Sequence, residues 1–484
     1  MQIKTILRLL GLLLMMFSLS MLTPLIINFI FRENFWLPFV VAFICTFCTG
    51  FLLWLCCRTQ HHELKIREGF IIVVLFWFVL CLFASLPFIF VLHHQNQGMT
   101  DAFFETVSGL TTTGASVIEH LQGLPQAILF YRQQLQFLGG MGIVVLAVAI
   151  LPMLGVGGMQ LFRAETPGPM KDSKLTPRIA HTAKAMWYIY LLLTITCMFC
   201  YWIAGMDWFD ALGESFATVS TGGFSMHDNS FAHYESDVIE LIACFFMLLG
   251  GTNFALHFVA FQKKSLSHYW HDEEFRNYIF FLISATVLVG ISLVVYGFFR
   301  ANHHAFIKSL FNVISMATTT GFISAQFSQW PTYIPLLITL LALIGGCAGS
   351  TSGGLKVIRA LLIYKQSKRE IVRLIHPNAI IPIKFGNHSL AEPILQSMWG
   401  FLSVFIALFF ILVLLFMALG NDFVTSFSAS TASLSNSGAG IGNIHETCAH
   451  LNQPSKWVMI FAMLAGRLEI FSLLILFSPY FWQK

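Results

Sequence analysis

One pattern recurs four times along the chain and limits its folding more than any other feature. A short, partly polar segment sits between two apolar runs and ends in a Ser/Thr/Asn-rich tract closed by glycine. The tracts read Thr111-Thr112-Thr113-Gly114, Val219-Ser220-Thr221-Gly222, Thr318-Thr319-Thr320-Gly321 and Ser435-Asn436-Ser437-Gly438. Their glycines lie 108, 99 and 117 residues apart. Near-regular self-similarity of this kind marks a repeat architecture. The flanking apolar runs are expected to span a membrane at 9–31, 36–57, 68–93, 130–160, 183–205, 237–262, 276–299, 332–362, 395–419 and 455–480. The short segments, roughly 101–114, 209–222, 305–321 and 422–438, cannot cross. Each repeat then reads span, short helix, extended tract, span. Asp101, Asp210 and Asp422 open three of the short helices, where an acid is favoured. Two extra spans fill 1–62, and the repeats occupy 63–165, 166–265, 266–385 and 386–484. The expected fold is an all-α membrane protein: four span–pore-helix–span repeats in a pseudo-fourfold, potassium-channel-like arrangement, plus the two N-terminal helices.

Composition agrees. Of 484 residues 57% are hydrophobic and only 10% charged, against roughly 25% charged in soluble domains. Runs of about 20 apolar residues cover the ~30 Å of a bilayer core. With the N-terminus inside, 21 of the 27 Lys and Arg residues fall in inner segments, five in outer ones, and Arg467 within a span. That bias sets the orientation and brings all four tracts in from the outer side. The basic residues form no single patch, so nucleic acid is not an expected partner. Lys4 and Arg8 precede an apolar run with no small-residue cleavage site, which reads as a retained first span. The Cys45/Cys48 and Cys197/Cys200 pairs lie mid-span with no His or acid beside them, so apolar packing is expected. His227, His303 and His304 lie on outer loops without metal-ligand spacing.

Irregular backbone survives at membrane depth only when buried in protein or lining a watery cavity. Four such tracts in one chain imply one shared cavity. Stacked rings of carbonyl oxygens there replace a cation's hydration shell. Hydroxyls add neutral oxygen, and the short helices direct their negative C-terminal ends inward. Hard neutral ligands suit an alkali ion better than a transition metal. The potassium-binding residues expected are therefore the sixteen of the four tracts, with no other metal site and no cofactor in this chain.

The segments "TTTGAS", "STGGFS" and "TTTGF" resemble the filter sequences of the Trk/Ktr/HKT superfamily of cation transporters, most closely its TrkH branch. The likeness covers essentially the whole chain, including the two leading spans. "SNSGAG" departs from the usual fourth tract, where proline commonly follows the glycine. The resemblance implies potassium uptake, a bacterial inner-membrane location, a homodimer, and a cytoplasmic nucleotide-binding ring, TrkA, as partner. Such a partner is expected on the basic segments 163–184 and 356–384.

Two interior features suit a gate. Gly345-Gly346-Cys347-Ala348-Gly349-Ser350-Thr351-Ser352-Gly353-Gly354 interrupts a span, and each mid-helix glycine costs up to about 1 kcal/mol relative to alanine. A loop at membrane depth is expected, though small-residue helix packing also explains such a stretch. A nucleotide-loop reading fails, because Lys356 comes one residue late with no Ser or Thr after it. The segment resembles the family's intramembrane gating loop. Arg467, about ten residues inside the last span, must face water or a partner. It serves either in a salt bridge to another helix or as a positive charge in the cavity, and the resemblance implies the latter. Lys356 and Arg359 are expected to anchor at the inner interface. Glu105 and Glu214 suit either of two roles, filter supports or attractors at the mouth. A gated channel-like pathway and a symporter coupled to H⁺ or Na⁺ both remain open. An enzyme does not fit, since no nucleophile–base or metal constellation occurs.

Overall fold

Backbone in hydrocarbon must satisfy its own hydrogen bonds, so the apolar runs fold as helices. The computed structural model describes residues 3–57, 66–94, 97–142, 179–299, 302–331, 333–379, 381–386, 388–390 and 392–483. The inner part of the expected span 130–160, the repeat boundaries at 62/63 and 165/166, and most of the basic segment 163–184 lie outside these residues. Among the described residues six helices are long and apolar enough to cross a membrane, or eight if two bent pairs count as spans. The first two, Ile3–Ile30 and Leu37–Cys57, cross closely. A Cβ on Gly11 would stand 2.5 Å from Gly50 O, so only glycine permits the approach.

Each repeat then follows the same course. The outer-span helices are Ile66–Ala84 continued by Leu86–His94, then Ile179–Ile203, Glu273–Val295 and Glu392–Ala418. The short helices are Met99–Leu110, Trp208–Val219, Asn302–Ala317 and Phe423–Leu434. Their faces pack into two large apolar clusters, and the ends of the helices meet near the centre.

The second helix of each repeat departs from the simple expectation. One break was expected, at 345–354, and it is present between Tyr333–Ile344 and Val357–Ile375. Two more occur. The run 237–262 bends by 95° between Asp237–Gly250 and Phe254–Lys263. Asn253 starts the second piece, its side chain accepting from Ala255 N at 2.9 Å. The run 455–480 bends by 107° after Gln453–Arg467. There Glu469 and Ile470 take φ of +52° and +54°, values L-residues rarely adopt and which end a helix. In the first repeat Gln126–Phe137 passes into a π-helical turn, Leu138–Gly142. A two-residue antiparallel pairing, Lys384–Phe385 with His388–Ser389, is the one strand pair among the described residues.

Candidate functional site

Three of the short helices start on a definite cap. Asp207 and Asp422 accept from Phe209 N and Thr425 N at 3.3 and 3.1 Å. Asp101 reaches back to Gly98 N at 3.1 Å. The expected cap Asp210 is not the cap of its helix. It lies one turn inside and holds His227 Nε2 at 2.7 Å.

All four helices end identically. The amides of Thr113, Gly222, Thr320 and Ser437 each return to a carbonyl five residues earlier, at 2.8, 2.8, 2.7 and 2.9 Å. The residue before each, Thr112, Thr221, Thr319 or Asn436, is left-handed, with φ of 53°, 51°, 56° and 55°. A glycine with positive φ follows: Gly114, Gly223, Gly321 and Gly438. This corrects the register of the second tract by one residue. The quartet equivalent to 111–114 is Ser220-Thr221-Gly222-Gly223. Val219 is the last residue of its helix, and Gly222 holds the position of Thr113.

The same glycines interlock around a ring. A Cβ on Gly114 would overlap Gly222 O; on Gly223, Thr320 O; on Gly321, Ser437 O; on Gly438, Thr113 O. Each tract thus seats a carbonyl of the next, and the fourth seats one of the first. An outer cavity of about 630 Å³ opens over all four glycines. Glu119, Asp228 and Glu446 line it and give its mouth negative charge. These acids sit on loops whose sequence carries no motif, and sequence reasoning missed them.

Glu105 and Glu214 are fully buried behind the tracts, not at the mouth. Glu105 accepts from Ser116 Oγ and Val117 N, both at 3.0 Å. Glu214 accepts from Ser225 Oγ and Met226 N at 2.6 and 2.9 Å. Arg132, counted in sequence as an outer charge, is 1% exposed. It pairs with Glu105 at 2.8 Å and donates to Ser225 O at 3.1 Å, tying the first tract to the second. The third tract leans on Asn312, which donates to Ser324 Oγ at 3.3 Å. The fourth leans on Ser428 and Thr425, which accept from Ile441 N and Asn443 N at 2.7 and 3.0 Å.

The loop 345–354 lies directly beneath. Thr351 Oγ1 donates toward Val219 O and Gly250 O at 3.1 and 3.0 Å, and its hydroxyl accepts from Thr221 Oγ1 at 3.1 Å. Ser352 Oγ donates to Thr318 O at 2.8 Å, and Gly353 N to Thr319 Oγ1 at 2.7 Å. Cys347 N and Thr351 N bond to Gly251 O and Gly250 O at 2.8 and 3.2 Å, in the break of the second repeat. Ala348 N bonds to Glu274 at 2.7 Å, Gly349 O accepts from Phe254 N at 3.0 Å, and Ser350 Oγ donates to Cys347 O at 2.6 Å. Gly345 and Gly346 close the loop, with Gly346 N on Ser352 Oγ at 2.9 Å.

Arg467 completes this layer. Its guanidinium donates to Thr112 Oγ1 and Thr351 O, both at 3.1 Å, to Gly140 O at 2.6 Å, and to Gly139 O. It joins the first tract, the first repeat's second helix and the loop. Lys356 and Arg359 correct the expectation of interfacial anchors, because both are buried. Lys356 donates to Ser352 O, and Arg359 pairs with Glu469 at 2.5 Å. Arg369 turns to Glu392 at 2.6 Å, so part of the basic charge in 356–384 is spent inside the fold.

Comparison with known proteins gives a consistent result. The family model TrkH, described as a cation transport protein, matches residues 38–484. The chain is 51% identical over 487 residues to a Trk system potassium uptake protein TrkH of Halomonas elongata, covering 100% of each. It is 48% identical over 484 residues to the protein of that name in Escherichia coli K12, again covering 100% of each. The crystal structure of the potassium transporter TrkH from Vibrio parahaemolyticus superposes with a TM-score of 0.91 at 46% identity, over 100% of both chains.

Proposed function

This chain belongs to the TrkH family of cation transport proteins, and on that premise we propose that it takes up potassium through the axis of its four tracts. It is a transporter and not an enzyme. The observation that carries the reading is the closed ring: four glycines at equivalent backbone positions, interlocked, under one outer cavity. Ions enter past Glu119, Asp228 and Glu446, lose water to the tract carbonyls, and leave toward the inner side. The filter residues are those of the first, third and fourth quartets together with Ser220, Thr221, Gly222 and Gly223. The membrane potential drives entry at about 2.3 kcal/mol per charge per 100 mV.

The loop 345–354 and Arg467 form the gate. In the closed arrangement they occupy the lower face of the ring through Thr112, Thr221, Thr319 and the carbonyls beside them. A fixed positive charge there opposes cation exit. The chain sits in a bacterial inner membrane and works as a homodimer with a TrkA-like nucleotide-binding subunit on its inner face. The relatives' names, which place them in a multi-part Trk system, support a partner.

Potassium and sodium flux into reconstituted vesicles tests both parts. Gly114→Ser forces a side chain onto Gly222 O and is expected to abolish potassium preference. Arg467→Ala, or removal of 347–353, is expected to raise flux at least about tenfold, equivalent to ~1.4 kcal/mol of lost barrier. Unchanged ion ratios in the first, with normal protein in the membrane, remove the filter assignment. Unchanged flux in the others removes the gate.

A further inference from the structure

The second tract lacks something the other three share. In those, a hydroxyl on the helix-ending residue meets a hydroxyl two positions later: Thr111 with Thr113 at 2.8 Å, Thr318 with Thr320 at 2.7 Å, and Ser435 with Ser437 at 3.1 Å. The pair ties the residue just before the tract glycine to the end of its helix. In the second tract the later residue is Gly222, which has no side chain. Its backbone does not demand glycine, since its φ is not positive.

Gln136, from the second helix of the first repeat, fills the empty place. A Cβ on Gly222 would stand 2.5 Å from both Cδ and Oε1 of Gln136. Nε2 donates to Gly222 O at 2.7 Å, and Oε1 accepts from Phe224 N at 3.1 Å. These partners fix the amide's orientation, because the carbonyl only accepts and the amide N–H only donates. Gln136 is fully buried, and both of its polar atoms are spent on the tract. The neighbouring Gln133 donates to Phe224 O at 2.9 Å, so one helix face fastens this whole quarter.

We propose that Gln136 is a positioning residue for the second quarter, replacing from another repeat the hydroxyl that Gly222 cannot supply. The inference rests on the reading of the tracts as a cation filter. Gly222 O is the carbonyl seated against Gly114, so its placement sets the junction of the first and second quarters. Gln136 takes one lone pair of that oxygen and leaves the other to a passing ion. A ring of carbonyls discriminates between cations through the number and setting of its dipoles. Freeing one carbonyl loosens the ring on one side and reduces the difference between potassium and sodium.

The test is potassium, rubidium and sodium flux through the full chain in vesicles. Gln136→Met keeps the volume and removes both bonds. It is expected to lower the potassium-to-sodium ratio about fivefold, equivalent to one hydrogen bond of ~1 kcal/mol. Gly222→Ser alone displaces the amide and lowers the ratio in the same way. The pair Gln136→Ala/Gly222→Ser reinstates a hydroxyl opposite Ser220 and returns the ratio to within about twofold of normal. That rescue distinguishes positioning from plain packing, which two successive losses would worsen. A normal ratio in Gln136→Met, or a pair no better than Gln136→Ala, overturns the inference while Gly114→Ser still collapses selectivity. If Gly114→Ser changes nothing, the filter reading falls and takes this inference with it. Should Gln136→Met fail to accumulate, the paired variant decides alone by the same ratio.

Discussion

Behind the first tract stands Glu105 and behind the second Glu214, each a carboxylate without solvent contact. Behind the third stands Asn312, and behind the fourth the hydroxyls of Thr425 and Ser428. The four tracts share one backbone course, yet the short helices of the first two supply carboxyl groups to them and those of the last two supply neutral ones. A carboxylate accepts several donors at once, and its charge-assisted bonds are about twice as strong as neutral ones. It also has to be matched, as Glu105 is by Arg132 at 2.8 Å. No ion pair among the described residues matches Glu214, whose Oε2 lies buried without a hydrogen-bond partner, so of these two quarters the first is held harder and fails worse when a partner is lost. The last two quarters are held more weakly and tolerate change.

The sharpest way to break this contrast is Glu105→Gln. It leaves Arg132 buried without its counter-charge, at an expected cost of about 3–5 kcal/mol. Thermal unfolding in detergent measures it, and a cost no larger than that of Asn312→Ala would dissolve the comparison. Glu214→Gln should cost less, about 1.5–3 kcal/mol, the range for hydrogen bonds to charged groups, since the donors to Glu214 are the neutral Ser225, Met226 and Tyr234. Asn312→Ala and Ser428→Ala should each cost about 1 kcal/mol. The same denaturation series ranks all four.

The smallest effect concerns pH at the outer loop of the second quarter. Burial disfavours charge on His227, but the hydrogen bond and charge of Asp210 outweigh it, so the imidazole holds its proton above its ordinary value. Because the folded-state pKa is raised, the pair's contribution is fully present below about 6.5, the unfolded value. It is lost as pH rises through the raised folded value. Asp210→Asn should flatten that part of the stability profile. An unaltered profile would show that the pair does not fasten this loop.

Hydropathy made the spans legible, because a bilayer admits few alternatives to an apolar helix. The break at 345–354 was legible for a similar reason, since its glycines make a continuous helix costly. The break near Gly250–Asn253 carried a weaker sign, two glycines and a capping asparagine, inside a run apolar enough to hide it. The turn at Glu469 and Ile470 carried almost none, because neither residue favours positive φ. The expected frame 219–222 of the second tract is one residue early, because two glycines adjoin there and sequence alone ranks them equally. Its correct frame comes from the helix-terminal hydrogen bonds. Arg132, Gln133 and Gln136 are polar residues inside the expected span 130–160 that the sequence reading does not single out, and only the fold shows that they face the neighbouring repeat.

The interlocked ring has a consequence for how such a pore changes over generations. An assembly of four identical chains must accept every substitution on all sides at once. Here each wall is encoded separately, so Asn436 in one place and threonine in the other three can coexist. A lineage can therefore adjust one side of the aperture while its neighbours, seated against it, preserve the bore.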